Sequence, residues 1–355
     1  MAKSRVIGLD IGSTNVRAAE VEFGSRGPAA SNPPEVLRFG EVPLPPGAVR
    51  DGEVVEPEAV TTAIKHLWRE TKFSTKDVVI GVGNQRVLVR DMDLPAMPLD
   101  QIRASLPYQV QDQIPVAVED ALLDFVPTAL ADGQHGPVVK GLLVAATKDS
   151  VEANISAVEA AGLRVSMVDL NALALTRSLT RGAWADRTVA LVDLGARITT
   201  VVIVVAGLPQ FVRVLPTGGH DMTAAISSAM GVSEADAEAM KRQVGIGMSV
   251  PPDYVPAAEA VAQVGHVLVE AVRGTLSYFS MNNPNGVLDM VLLSGRGAQL
   301  PGLGQYLSSA ARVSVSLATP LAATKVGSAM PKGQHLEEIQ HVLGVPLGLA
   351  FGVAA

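Results

Sequence analysis

The 355-residue sequence contains no cysteine, which excludes disulfides, cysteine-based zinc sites and thiol catalysis and sits easily with a reducing compartment. Aromatic residues are scarce, 4% against 48% hydrophobic residues overall, so cores must be filled by close-packed Val, Leu, Ile and Ala. That favours a layered α/β protein. No run of Lys or Arg occurs and the formal net charge is -7, whereas phosphate-backbone binders owe their affinity to clustered basic charge, so nucleic acid is not expected as a partner. Long apolar runs are missing as well. Residues 201–208 and 342–355 fall short of the roughly 18 residues a membrane helix needs, and no direct membrane insertion is expected. The start, 1–15, lacks a secretory apolar region, because Val6 to Ile11 is short and broken by Asp10. The six histidines are scattered; His335 and His341 would fall on different helix faces and no His-Glu-x-x-His pattern occurs, so no histidine metal site is expected.

At about 150 residues per domain, the length predicts two lobes. The first segment reads as a strand (Val6 to Leu9), a tight Asp-Ile-Gly-Ser turn and a second strand through Val16, Ala18, Glu20 and Val21. Residues 24–34, rich in Gly, Ser and Pro, read as an exposed loop, and Asp51-Gly52-Glu53 as a turn. Pro57 opens a helix whose apolar positions Val60, Ile64, Leu67 and Trp68 recur every three to four residues, followed by a buried strand at 78–82. From Leu94 the prolines at 95, 98, 107 and 115 mark an inserted subdomain. It holds a helix over 99–114, strands at 121–127 and 141–146, a helix over 150–161 ended by Gly162, and a strand at 165–168. The second half opens with strands at 188–192 and 199–205 around Asp193-Leu194-Gly195-Ala196, repeating the first twenty residues. A helix-rich stretch (221–281), a strand at 290–293, a glycine turn and a helix at 303–310 follow. The tail, 336–355, reads as helical with an irregularity at Pro346, and its glycines at 344, 348 and 352 predict close packing of one face against a sheet.

Two strand-turn-strand units, each with Asp-x-Gly at the turn, lie about half the chain apart. Gly12 and Gly195 let successive amides converge on one point, an anion nest suited to phosphate oxygens. Asp10 and Asp193, at the strand ends beside the nests, could hold the magnesium that accompanies a triphosphate, mostly through waters. Two such hairpins facing each other would form a phosphate clamp. Ser13, Thr14, Asn15 and Ala196 complete the turns, and Thr199 with Thr200 adds hydroxyls that could equally serve strand-edge bonding. Arg197 either contacts phosphate or points to solvent. Gly218-Gly219 precedes a helix whose N-terminus could accept an anion, and Ser294-Gly295-Arg296-Gly297-Ala298 could pass flat against a base or ribose; each could also be only a connection. Glu238 and Lys241, three apart on one helix face, could reach a ribose or phosphate or form a plain surface ion pair.

The order of these motifs resembles the actin, Hsp70 and sugar kinase superfamily, and within it the type IV pilus assembly PilM family. The resemblance runs over nearly the whole chain: Gly8-Leu9-Asp10-Ile11-Gly12-Ser13 with Val16-Arg17 and Glu20-Val21, then Asp51-Gly52-Glu53-Val54, Leu94-Pro95, Gln113-Ile114-Pro115 with Asp124, Val144-Ala145-Ala146, Ala161-Gly162-Leu163, Val168-Asp169, Leu300-Pro301-Gly302-Leu303 and Gly348-Leu349-Ala350. It implies an α/β fold of the actin-like, ribonuclease H-like, two-lobed kind with an FtsA-type inserted subdomain. The implied first lobe is 1–93 with 166–187 and the tail 331–355 packing back on it. The inserted subdomain is 94–165, and the second lobe is 188–330 with a helical subdomain at 224–285. It further implies ATP with Mg2+ between the lobes. The implied partner is a PilN-like membrane protein, docked by its cytoplasmic N-terminal peptide at the inserted subdomain; contacts to pilus motor ATPases and self-association are also implied. The location implied is the cytoplasm, at the inner face of the cytoplasmic membrane.

Two departures stand out. Ser294 and Arg296 interrupt the turn where kin often show Gly-Gly-Gly, and Asp169-Leu170-Asn171-Ala172 stands where Hsp70-like and FtsA-like proteins carry Glu-Pro-x-Ala. Turnover needs a group that orients the attacking water, so ATP binding with slow or absent hydrolysis is expected. The alternatives are an FtsA-like filament-forming division protein, whose basic C-terminal amphipathic tether has no counterpart because no Lys or Arg follows Lys332, and a small-molecule kinase using Asp91 or Asp93.

Overall fold

The computed structural model describes residues 4–24, 33–134, 136–283 and 286–353. Most of the loop expected at 24–34, and the last two residues of the expected tail, lie outside them.

In the first lobe, β1 (Ser4–Ile11), β2 (Asn15–Phe23) and β3 (Glu35–Pro43) run antiparallel in succession. The ribbon β4 (Val49–Arg50) and β5 (Glu53–Val54) turns at Asp51-Gly52, both at positive φ. Helix α1 (Pro57–Thr71) starts at Pro57, which has no N–H to leave unpaired, and ends where Lys72 turns left-handed and donates its N–H to the Trp68 carbonyl. Strand β6 (Asp77–Val82) then pairs parallel with β1.

Next comes a separate antiparallel sheet, in the order β7-β9-β8: β7 (Leu88–Pro95), α2 (Leu99–Gln109), β8 (Ala121–Gly133) and β9 (Gly136–Thr147). Its own core gathers Ile102, Leu106, Phe125 and Leu143. Helix α2 stops short of the expected 114, since the chain leaves the helix at Val110 and turns through Gln113. The chain returns to the main sheet through α3 (Lys148–Ala160), packed beside α1 by way of Ala157 and Val158, and β10 (Arg164–Leu170), which pairs parallel with β6. The inserted unit therefore spans 88–147 and not 94–165. β7 belongs to it because its partner is β9, and α3 does not because its apolar face is buried in the first lobe. Helix α4 (Asn171–Leu179) then leads to the second lobe.

There, β11 (Thr188–Leu194), β12 (Thr199–Val205) and β13 (Leu208–Leu215) again run antiparallel. Every residue of β12 but the last is buried, as its unbroken β-branched run requires. Helices α5 (Gly219–Met230), α6 (Glu234–Val244) and α7 (Val255–Asn282) follow, then β14 (Met290–Ser294), α8 (Leu303–Ala311) and β15 (Val315–Leu317). By length and averaged hydropathy, 1.2 over its most apolar window, the stretch Pro252–Asn282 could cross a membrane, although polar residues interrupt it throughout and it holds no unbroken apolar run of that length. Its residues Ala257, Val261, Leu268, Val272, Leu276 and Phe279 are nevertheless buried in the core of the second lobe.

The chain crosses back before residue 330: β16 (Lys325–Val326) pairs with β3, and α9 (Gln334–Gln340) and α10 (Gly344–Gly352) pack on the first lobe. Helix α10 lies against β1 and α4 so closely that a Cβ on Gly8 would overlap the Pro346 carbonyl and one on Gly348 the Ala174 carbonyl. Only glycine permits that backbone approach.

The two sheets share one plan. The first is ordered β10-β6-β1-β2-β3-β16 and the second β15-β14-β11-β12-β13, with the same parallel and antiparallel pairings throughout the shared five strands. This is the actin-like architecture implied by the resemblance. A core shared by both sheets, including Val79, Leu175, Leu191, Val202 and Leu349, joins the lobes beneath the cleft.

Candidate functional site

The cleft between the lobes encloses about 810 Å³. Both Asp-x-Gly turns open into it, and their geometry is nearly identical: the Gly12 amide donates to the Asn15 carbonyl at 3.0 Å and the Gly195 amide to the Ile198 carbonyl at 2.9 Å. Asp10 and Asp193 are each the last residue but one of their strand, because cross-strand pairing carries on right up to the turn, with Asp10 opposite Arg17 and Asp193 opposite Thr200.

The two acids lie in different fields. Burial raises the pKa of Asp10, opposed by Arg17, whose Nη1 lies 3.6 Å from Oδ2. Burial raises that of Asp193 from the ordinary 3.8 to about 6; a hydrogen bond with Ser294 opposes the shift and the charge of Asp10 adds to it. Two enclosed carboxylates of raised pKa, each feeling the other's charge, could together take up a hydrated divalent cation, which would relieve their repulsion. Among the described residues no group of three or more His, Cys, Asp or Glu could hold a metal by itself, so further ligands would come from water or from a bound anion.

Of the residues singled out in the sequence, Asp10, Gly12, Ser13, Thr14, Asn15, Asp193, Gly195, Ala196, Arg197, Gly219, Glu238, Lys241, Gly295, Arg296 and Gly297 all line this cleft. Two do not. Thr199 is fully buried and donates its hydroxyl to the Thr217 carbonyl, while Gly218 packs against the Ala196 carbonyl and donates its amide to Asp221. Both shape the wall from behind. The Lys241 ammonium spends its three donors on the Gly219 carbonyl (2.9 Å), Thr223 Oγ1 (2.8 Å) and Glu238 Oε2 (2.5 Å), tying α6 to the start of α5. Burial opposes ionisation of Glu238, but Lys241 and Thr223 outweigh it and lower its pKa. Arg296 lines the cleft yet turns its guanidinium to Glu41 on β3 of the first lobe. Asp91 and Asp93 are remote from the cleft, on β7, with Lys140 3.7 Å from Asp93.

Several further residues belong to the site without any local signal in the sequence. Arg17 and Glu41 are invisible until strand register sets them side by side with Asp10. Asn171, first residue of α4, also lines the cleft, with its Oδ1 buried and unpartnered. His341 is 5% exposed; its Nδ1 meets Gln299 Nε2 at 2.9 Å and its carbonyl accepts from the Gly295 amide and the Ser294 hydroxyl. Burial, then the nearby Arg296 and Arg17, push its pKa down to about 4. It is thus a neutral buttress for the Gly295 turn.

A family model described as type IV pilus assembly protein PilM matches residues 8–353. The solved PilM-PilN type IV pilus biogenesis complex contains a chain 28% identical to this one, with a TM-score of 0.85 and coverage of 99% of this chain and 98% of that one. MreB5 of Spiroplasma citri bound to AMPPNP is similar in fold alone, at 13% identity and a TM-score of 0.52 over 88% of this chain and 91% of that one. The cell division protein FtsA of Bacillus subtilis is 21% identical over 67% of this chain, which spans 58% of the length of that relative.

Proposed function

This chain belongs to the PilM family of type IV pilus assembly proteins, and from that premise we propose that it is an ATP-binding adaptor linking a PilN-like membrane protein to the cytoplasmic pilus machinery. The observation that carries the nucleotide half is the pair of matched Asp-x-Gly turns facing one cleft. The converging amides near Gly12 and Gly195 would hold phosphate oxygens, with Ser13, Thr14 and the cleft-facing Arg197 as further donors. Asp10 and Asp193 would hold Mg2+ through water, and the ion would supply the positive charge that lets a triphosphate lie between two carboxylates. Glu238, on α6, is suited to a ribose hydroxyl, and the Gly295-Arg296-Gly297 turn to the base. That MreB5, of the same fold, was solved with AMPPNP is consistent with this use of the cleft.

Hydrolysis is slow or absent in this reading. Asn171, where the cleft meets α4, cannot take a proton from water, and the nearby Asp169 is held by an ion pair with Arg177. The partner is a PilN-like protein, as in the solved PilM-PilN complex, bound through its cytoplasmic N-terminal peptide at the small sheet and α2, where Leu99, Tyr108 and Leu122 are exposed. Recruitment to the inner face of the cytoplasmic membrane follows from that contact. Motor ATPases and a second copy are further partners of an adaptor of this kind. The kinase reading loses support because Asp91 and Asp93 are remote from the cleft.

Isothermal titration with ATP and magnesium is the test. Magnesium-dependent binding is expected in the wild type and is lost in the Asp10→Ala, Asp193→Ala double variant. A folded wild type that binds no nucleotide sinks the proposal.

A further inference from the structure

Glu41 sits near the end of β3 with its Cα directly opposite Arg17 on β2, which is opposite Asp10 on β1. Residues opposed across antiparallel strands share a face, so three charged side chains meet in a row. They are all largely buried, with side-chain exposures of 11% for Asp10, 13% for Arg17 and 17% for Glu41. A fourth charge arrives from the other lobe: Arg296 Nη2 lies 2.6 Å from each carboxylate oxygen of Glu41. The result is a ladder of alternating sign, Asp10, Arg17, Glu41, Arg296, which crosses from one lobe to the other.

The attachment of Arg17 is specific. Its Nε donates to Glu41 Oε1 at 3.0 Å, leaving the Nη edge of the guanidinium toward the first turn, where Nη1 would lie 3.5 Å from a Cβ on Gly12. A guanidinium held by its Nε has its remaining donors fixed in direction, which a flexible ammonium would not. Burial opposes ionisation of Glu41, but Arg17 and Arg296 outweigh it and keep its pKa below the usual carboxylate range.

Building on the nucleotide reading of the cleft, we propose that Glu41 is a positioning residue for phosphate recognition: it aims Arg17 at the Gly12 turn, and Arg296 makes that aim depend on the two lobes being together. Without the Glu41 charge, Arg17 has only Asp10 to pair with, and a cation bound to Asp10 competes directly with the divalent ion there. Binding energy should then be lost in proportion to the number of phosphates on the ligand, and the base and sugar should be unaffected.

The experiment titrates wild type, Glu41→Gln, Arg296→Gln and the double variant with adenosine, ADP and ATP in magnesium. Glu41→Gln is expected to weaken ATP about tenfold or more, ADP less and adenosine not at all, since loss of one member of a desolvated charge pair acts on what the other member binds. Arg296→Gln, in the base-facing turn, should cost all three ligands alike and add a smaller loss that follows the same phosphate ranking, and this phosphate-ranked part should be no larger in the double variant than in Glu41→Gln. Equal losses for all three ligands in Glu41→Gln would mark Glu41 as merely structural and overturn the proposal, as would additive phosphate-ranked losses in the double variant. Should Glu41→Gln misfold, Arg296→Gln carries the same phosphate ranking alone. A wild type that takes no ATP removes the nucleotide reading and this inference with it; a wild type and Glu41→Gln that bind ATP equally remove this inference alone.

Discussion

The two lobes are built on the same five-strand plan, yet their matching hairpins are finished differently. Aligning Asp10 with Asp193 sets Gly8 against Leu191, Val16 against Thr199 and Arg17 against Thr200. The first lobe has a glycine where α10 lies on its sheet and a cation opposite its acid; the second has a leucine in its core and only a hydroxyl opposite its acid. The backbone of each turn is the same to within 0.1 Å in its closing hydrogen bond, 3.0 against 2.9 Å. A duplicated frame can therefore carry two unlike electrostatic environments, because the frame is set by backbone pairing and the environment by a few opposed side chains.

Exchanging residues between the lobes tests that statement. The largest effect is expected from Gly8→Leu, which gives the first lobe the residue of the second: the side chain collides with the backbone of α10 and costs about 3 kcal/mol or more. Denaturant unfolding reads it, and a midpoint equal to the wild type would refute the close packing of α10 on β1. Next is Asp193→Asn. Because folding raises the pKa of Asp193 to about 6, its contribution to stability is fully present below the unfolded value near 3.8 and is lost as pH rises through about 6. The ion-free variant should thus be more stable than wild type at pH 8 by about 3 kcal/mol and show no such gain at pH 4. Asp10→Asn should gain less, since Arg17 then loses a partner; equal gains would mean that the two acids are alike after all. The smallest effect is expected from Thr199→Val, which imports Val16 and leaves the Thr217 carbonyl without its donor at a cost of about 1 kcal/mol.

Features written in local sequence were legible. The strand at 199–205 was read at its observed bounds, and both Asp-x-Gly turns were evident because a strand, an acid and a glycine are adjacent in the chain. What depended on distant pairing was not. Strand β7 mixes Arg90, Asp91 and Asp93 among apolar residues, and only its partner β9 makes it a strand. Helix α4, with nine residues, is too short to show a clear period, so nothing local in the sequence marks Asn171 as the start of a helix. The ladder from Asp10 to Arg296 needs the register of three strands and the approach of a second lobe, neither of which spacing along one chain reports.

Helix α10 covers β1, yet almost the whole sequence lies between them. During synthesis the second lobe, whose strands and helices all fall between residues 188 and 317, has its own core complete before α10 emerges and lacks only the His341 support of its Gly295 turn and the Leu349 side of the shared core. The first lobe, begun earlier, waits with Ala19, Val21 and Phe23 partly uncovered. Long-range closure of this kind is slow and leaves apolar surface open to wrong partners in the interval. The half of the molecule made first is thus the half completed last, and it is there that a nascent chain has most need of a chaperone.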